Sequence, residues 1–263
     1  MPRRALLLVF LGVISPAWGA GSDPIELRVF AASSLREAFT QIGALFQKEH
    51  PRSYVVLNLA GSEELASQIV NGAEADVFAS ADTANLDKVA AAKLSRPARI
   101  FARNMPVVVV SRDAAATVRT FADLPRAGRI VLGDAEVPIG RYAREILDRA
   151  SRRYGPDFRQ RVEQRVVSNE LNVRQVLAKV TLGEADAAIV YRTDAAAVGD
   201  RVTVIEIPRD VSVVAEYPIA VLVAAPEPHL ADEWIATVLS ADGQRALTER
   251  GFLPAPHADG AEP

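Results

Sequence analysis

From residue 27 onward, short apolar runs of β type alternate with longer segments whose apolar residues recur at helical spacing. The runs are Leu27 to Phe30, Tyr54 to Leu57, Val77 to Ala79, Pro106 to Val110, Ile130 to Leu132, Ala187 to Val190, Val202 to Ile207 and Ile219 to Val223. This alternation predicts an α/β fold with mainly parallel sheet flanked by helices. The helix after Ser34 carries Leu35, Ala38, Phe39, Ile42, Leu45 and Phe46 on one stripe. Ser34-Leu35-Arg36-Glu37 has the form of a capping box, the serine oxygen taking an early N–H and the glutamate reaching back.

An internal echo adds a second level of organisation. Gly72-Ala73-Glu74-Ala75-Asp76-Val77-Phe78-Ala79-Ser80-Ala81-Asp82 resembles Gly183-Glu184-Ala185-Asp186-Ala187-Ala188-Ile189-Val190-Tyr191-Arg192-Thr193-Asp194, and each copy follows an amphipathic helix. Two similar lobes are the expectation, with chance recurrence of a common helix, Gly stop and strand as the alternative. No Ser/Gly-rich or charged spacer separates them, so extended segments should cross between lobes, with Pro106 to Ser111 and Glu216 to Val223 the candidates. The expected division is lobe I from 26–105 plus 216–255, lobe II from 106–215, and a short tail at 256–263. A cleft flanked by two such crossings can hinge shut on a ligand.

The first residues follow a different pattern. Arg3 and Arg4 precede the apolar run Leu6 to Ile14, and Ala17-Trp18-Gly19 supplies small residues for cleavage, the form of a signal peptide over 1–19. The run falls short of the roughly 20 apolar residues of a spanning helix. Export to the periplasm is therefore expected, and the lack of cysteine excludes both disulfides and a cysteine-linked lipid anchor. The net charge is −3 for the whole chain and −5 without Arg3 and Arg4, with no basic stripe of the kind nucleic acid requires.

Four segments are placed to line the cleft: Ser33-Ser34, Gly61-Ser62, the loop Gly133 to Gly140, and Ser168 to Val173, each leading into a helix. Tyr191 adds a phenol at the carboxyl end of a strand, where open α/β sheets place ligands. The first N–H groups of a helix lack intrahelical acceptors and carry the positive end of the macrodipole, so converging helix starts attract an oxyanion. Each element has a plainer alternative: Ser34 and Ser62 as ordinary N-caps, Tyr191 as a packing aromatic, and Arg36, Arg141, Arg174 and Arg192 as parts of a solvated face. No GxSxG, P-loop or HExxH sequence occurs, and His50, His229 and His257 lie outside the cleft segments. The acidic pairs Glu63-Glu64 and Glu74/Asp76 read as helix-start charges and loop polar groups, which leaves no metal-cation site and no cofactor.

At these residues the chain resembles the periplasmic molybdate-binding proteins of ABC transporters, from about Leu27 to Pro254. The motifs that carry the likeness are Val29 to Leu35, Ala75 to Asp82, Val137 to Ala143, Asn172-Val173-Arg174, Gly183 to Asp186 with Ile189-Val190-Tyr191, Glu216-Tyr217-Pro218 and Gly251-Phe252. The resemblance implies a two-lobed periplasmic-binding-protein fold of type II, with two crossover hinge strands, closing over a tetrahedral oxyanion held by neutral donors. It implies Ser34 and Ser62 as hydroxyl and backbone donors, Ile139 and Val173 as backbone donors, and Tyr191 as a phenol donor, with Ser33, Gly61 and Asn172 beside them. Ile139 stands where a small residue is expected, harmless to a backbone donor but able to narrow the cage. Gly61 stands where a hydroxyl residue is usual, so a spare donor is missing. The implied role is capture of molybdate, with tungstate, for delivery to an integral-membrane permease by a monomer that is not an enzyme. Binding of sulfate or another oxyanion is the alternative in the same class, and a secreted serine hydrolase using Ser34 the alternative in a different one.

Overall fold

The computed structural model describes residues 24–255; the expected signal peptide at 1–19, the tail at 256–263 and His257 lie outside the described residues. The chain begins with β1 (Ile25–Ala32), α1 (Arg36–Glu49), β2 (Ser53–Ala60), α2 (Ser62–Val70), β3 (Val77–Ala79), α3 (Thr83–Ala91) and β4 (Arg99–Asn104). It continues with β5 (Pro106–Val110), β6 (Ile130–Gly133), α4 (Pro138–Tyr154), α5 (Phe158–Glu163), β7 (Val166–Glu170), α6 (Val173–Thr181), β8 (Ala187–Tyr191), α7 (Arg192–Val198) and β9 (Thr203–Ile205). It closes with β10 (Ala215–Val221), α8 (Pro228–Leu239), α9 (Ala241–Glu249) and β11 (Leu253–Pro254).

These strands form two sheets, β11-β4-β10-β3-β1-β2 in lobe I and β7-β6-β8-β5-β9 in lobe II. Parallel pairing is confined to β2–β1–β3 and β7–β6–β8, where a helix connects each strand to the next and brings it back in the same sense. The other pairs are antiparallel. The two-lobed α/β architecture is as expected, but the sheets are mixed rather than mainly parallel, because β5 and β10, the strands that enter each lobe from a crossing, run against the βαβ half.

The internal echo is a structural duplication. In lobe I, Asp76 accepts the Arg28 N–H at 2.8 Å while its own N–H donates to the Arg28 carbonyl at 2.9 Å. In lobe II, Asp186 accepts the Arg129 N–H at 2.8 Å and donates to the Arg129 carbonyl at 2.8 Å. Each aspartate thus ties the entry of one parallel strand to its neighbour, while Glu74 and Glu184 pair with the Arg28 and Lys179 side chains. Gly72 and Gly183, at φ of 93° and 74°, turn the chain out of the preceding helix in both copies.

Three strands carry no strong apolar signal. β7 is an edge strand with alternating partial exposure, β4 reads Arg-Ile-Phe-Ala-Arg-Asn, and β11 is two residues long. The chain passes from β4 to β5 through Met105 alone and returns from β9 to β10 over residues 206–214. Asn104 pairs with Ala215, so the two crossings lie side by side. Behind the crossings, the α1 stripe packs into an aromatic cluster in which Trp234 meets Phe39 and Phe46 edge-on at 5.5 Å. Each such buried ring contributes about 1.5–3 kcal/mol. α2 and α3 cover the opposite sheet face with Leu65, Ile69, Leu86 and Val89 against Phe30 and Phe78. That layering fixes where the strand ends, and hence the helix starts, point.

Candidate functional site

The turns from β1 to α1 and from β2 to α2 in lobe I face their duplicates in lobe II, from β6 to α4 and from β7 to α6. They enclose a cavity with about 230 Å³ of empty space, including the part open at its mouth. Ser33, Ser34, Gly61, Ser62, Ile139, Asn172, Val173 and Tyr191 all line it, with Ala32, Ala60, Ala81, Val137 and Pro138 completing the wall. No carboxylate, lysine, arginine or histidine is among them. A general base for Ser34, which hydrolysis requires, is therefore missing from the cavity wall.

Neither serine is an N-cap. Residues 33–35 form a single 3-10 turn and Leu35 precedes α1 without a side-chain cap, so the expected capping box does not form. The Ser34 hydroxyl lies 3.0 Å from the Tyr217 hydroxyl, and Glu37 points across the cleft to Arg174. Ser62 is the first residue of α2, and its oxygen accepts the Ala81 N–H at 3.0 Å. The Tyr217 oxygen lies 3.4 Å from Asn104 Nδ2, which donates to it. With an amide behind it, the Tyr217 proton is free to go to Ser34. Each serine oxygen then accepts from the protein interior and keeps its single proton for the cavity.

The helix starts add backbone donors. The Asn172 side chain accepts the Arg174 and Gln175 N–H groups at 3.0 and 3.1 Å, leaving the Val173 N–H without a capping partner at the cavity wall. Asn172 thus orients the turn with its side chain. In α4 the first helical bond runs from Arg141 N–H to the Val137 carbonyl, so Ile139 N–H has no intrahelical acceptor, and Pro138 removes a donor that would go unused. The Ile139 side chain is drawn into the apolar core of lobe II. Gly140 is required because a Cβ there would overlap the Asp134 carbonyl. Gly61 has a different reason: a Cβ would overlap the Leu171 carbonyl, which belongs to the other lobe.

Tyr191 ends β8 with 1% of its surface exposed, and its hydroxyl has no hydrogen-bond partner. A buried unpaired phenol costs about 1–3 kcal/mol, so its place in the wall calls for a guest. Burial raises its pKa well above the ordinary phenol value, and the neighbouring Tyr217 adds to the shift. The group stays protonated and is a donor at every physiological pH.

Charged residues sit around this neutral centre. Arg141 pairs with Asp82 across the cleft, and Arg174 with Glu37. Lys88 Nζ approaches Glu136 Oε2 at 3.8 Å, again between lobes. Arg192 pairs with Glu206 at the surface and Arg36 is exposed, as a solvated face predicts. His50 stacks on Phe46 and lies 3.5 Å from Glu233, away from the cleft. Among the described residues no cluster of His, Asp and Glu is placed to hold a metal ion, and no helix is long and apolar enough to cross a membrane. The sequence placed Tyr217 in a motif of the resemblance but gave it no site role, and it missed Asn104 and Thr193, whose Oγ1 accepts from Asn104 Nδ2 at 2.9 Å. They lie up to 183 positions from the serine they support, and no local spacing reveals them.

Known proteins share this architecture. The family profile described as bacterial extracellular solute-binding protein matches residues 27–253. The molybdate-binding protein ModA of Mycobacterium tuberculosis H37Rv is 43% identical over 251 residues, 93% of this chain and 92% of its own. The periplasmic molybdate-binding protein of Azotobacter vinelandii superposes with a TM-score of 0.75 at 18% identity, covering 86% of this chain and 98% of that one. The sulfate-binding protein SubI of Mycobacterium tuberculosis H37Rv does so with 0.80 at 16% identity, covering 90% and 89%. At such distances structural likeness speaks for the fold alone. The identity to ModA and the length of the family match carry more: this chain belongs to the bacterial extracellular solute-binding proteins and has the ModA molybdate-binding proteins among its relatives.

Proposed function

We propose that this protein captures molybdate, and tungstate with it, in the periplasm and delivers it to an integral-membrane ABC permease. The observation that carries the reading is a cavity between the lobes walled by uncharged groups, which Tyr191, its hydroxyl unpartnered, lines beside Ser34 and Ser62. Hydrogen bonds to a charged group contribute about 1.5–3 kcal/mol each, and more in surroundings as apolar as Ala32, Ala60, Ala81 and Val137. Five to seven such bonds, less desolvation and closure, reach about micromolar affinity or tighter. The serine oxygens already accept from Ala81 and, on the direction argued above, from Tyr217, so the remaining proton of a phosphate would find few acceptors. Sulfate is fully ionised like molybdate, and it is discriminated only by the radius at which the donors converge. The 43% identity to ModA favours the larger anion.

Titration calorimetry with molybdate, tungstate, sulfate and phosphate tests this. One-to-one binding of the first two at least tenfold tighter than sulfate is expected. Sulfate binding as tight as molybdate sinks the assignment. Ser62→Ala should weaken molybdate by about tenfold or more, the loss of one charge-assisted bond.

A further inference from the structure

Arg174 is the second residue of α6, one position beyond the Val173 N–H at the cavity wall. Its backbone is held by the Asn172 cap, while its guanidinium leaves lobe II and grips Glu37 with both Nη atoms, Nη1 to Oε1 at 3.0 Å. Glu37 is the second residue of α1, three positions beyond Ser34. The same guanidinium presents Nε 2.8 Å from Oδ1 of Asp194, a wholly buried carboxylate on α7. One side chain thus joins three helices, two in lobe II and one in lobe I, and the lobe I partner stands directly behind an anion-facing serine.

The two carboxylates have different parts. Asp194 is in the same lobe as Arg174, so the 2.8 Å approach of Nε to its Oδ1 does not depend on closure. Glu37 departs with lobe I. Because the fork is pre-aimed, re-forming the bidentate pair on closure costs little side-chain entropy. We infer that Arg174 is a positioning residue that latches the closed lobes through Glu37, setting how long the bound anion stays rather than how fast it arrives. This rests on the anion-binding function proposed above.

Removing Arg174 would strand the buried Asp194, so Glu37→Gln is the informative variant: it keeps size and polarity and removes the charge. Release of radiolabelled molybdate on rapid dilution should be about five- to tenfold faster in Glu37→Gln, the range for loss of one partner of a half-buried bidentate pair. Association should stay within twofold, and the thermal midpoint without anion should not move. Raising ionic strength should speed release from the wild type and do less to the variant. Release from Glu37→Gln at the wild-type rate overturns the latch and leaves the anion site standing. Wild-type protein that takes up no molybdate overturns the proposed function and the latch together.

Discussion

The Ser34 hydroxyl sits 3.0 Å from the Tyr217 hydroxyl, on the strand that re-enters lobe I from the crossing. Asn104, on the other crossing strand, donates to the Tyr217 oxygen, and its amide also reaches Thr193 at the start of α7. A residue from each crossing therefore orients a hydroxyl that faces the cavity. Ser34→Ala should weaken molybdate binding by about tenfold or more, the loss of one charge-assisted bond. Tyr217→Phe leaves the serine but frees its proton to rotate, and a smaller loss of about threefold to tenfold is expected by calorimetry. A Tyr217→Phe protein with wild-type affinity would remove the orienting role.

Tyr191→Phe should separate stability from binding. With the lobes closed this hydroxyl is buried without a hydrogen-bond partner, so its removal should not lower the unfolding free energy. The same change should cost about tenfold or more in molybdate affinity. Denaturant titration and calorimetry on one preparation check both signs, and a variant that loses stability as well as affinity contradicts the proposed donor role.

Gly61 is the point where the lobes come nearest, with the Leu171 carbonyl in the space a Cβ would need. Gly61→Ala should hold the cleft partly open, weaken molybdate by at least about tenfold, and leave the anion-free protein with its original melting temperature. Small-angle scattering is the direct measurement. Equal contraction of wild type and variant on adding molybdate would show that the contact does not limit closure.

Asp194 supplies a pH test. Burial raises its pKa to about 7 from the ordinary carboxylate value, opposed by Arg174 and assisted by Glu37. Between about pH 4 and pH 7 the folded protein holds a proton there that the unfolded chain has released, so this group's contribution to stability falls as pH rises across that window and levels off above it. Asp194→Asn removes the dependence. The variant's unfolding free energy relative to wild type should therefore climb from pH 4 to pH 7, by as much as about 4 kcal/mol in the limit of the full shift. Chemical denaturation at several pH values decides it, and a constant difference between the two proteins refutes the assignment.

Much of the framework was legible because it rests on local periodicity. Val77–Ala79 and Pro106–Val110 are strands from end to end as the apolar runs mark them, and Ala38, Phe39, Ile42 and Phe46 of the predicted stripe are buried on α1. β4 and β7 were not legible because half-exposed strands carry polar residues that mask the pattern. The capping box at Ser34 failed for a related reason: local propensity offered the serine oxygen to its own helix, and a tyrosine 183 positions away took it instead. Arg141 and Arg174 look like surface charge along the chain and become cross-cleft partners only when the lobes meet.

The cavity divides along the same line. Residue order alone determined that helix starts with serine, proline-glycine and asparagine would follow strand ends in two duplicated units, because each start is written in a few consecutive residues with their own backbone chemistry. Tertiary structure decided that those starts face one another, that the serine protons are left for the cavity while Tyr191 goes unpaired, and that Gly61 must lack a side chain. Those outcomes depend on atoms brought together from distant parts of the chain, and burial and contact across a cleft exist only after both lobes have folded.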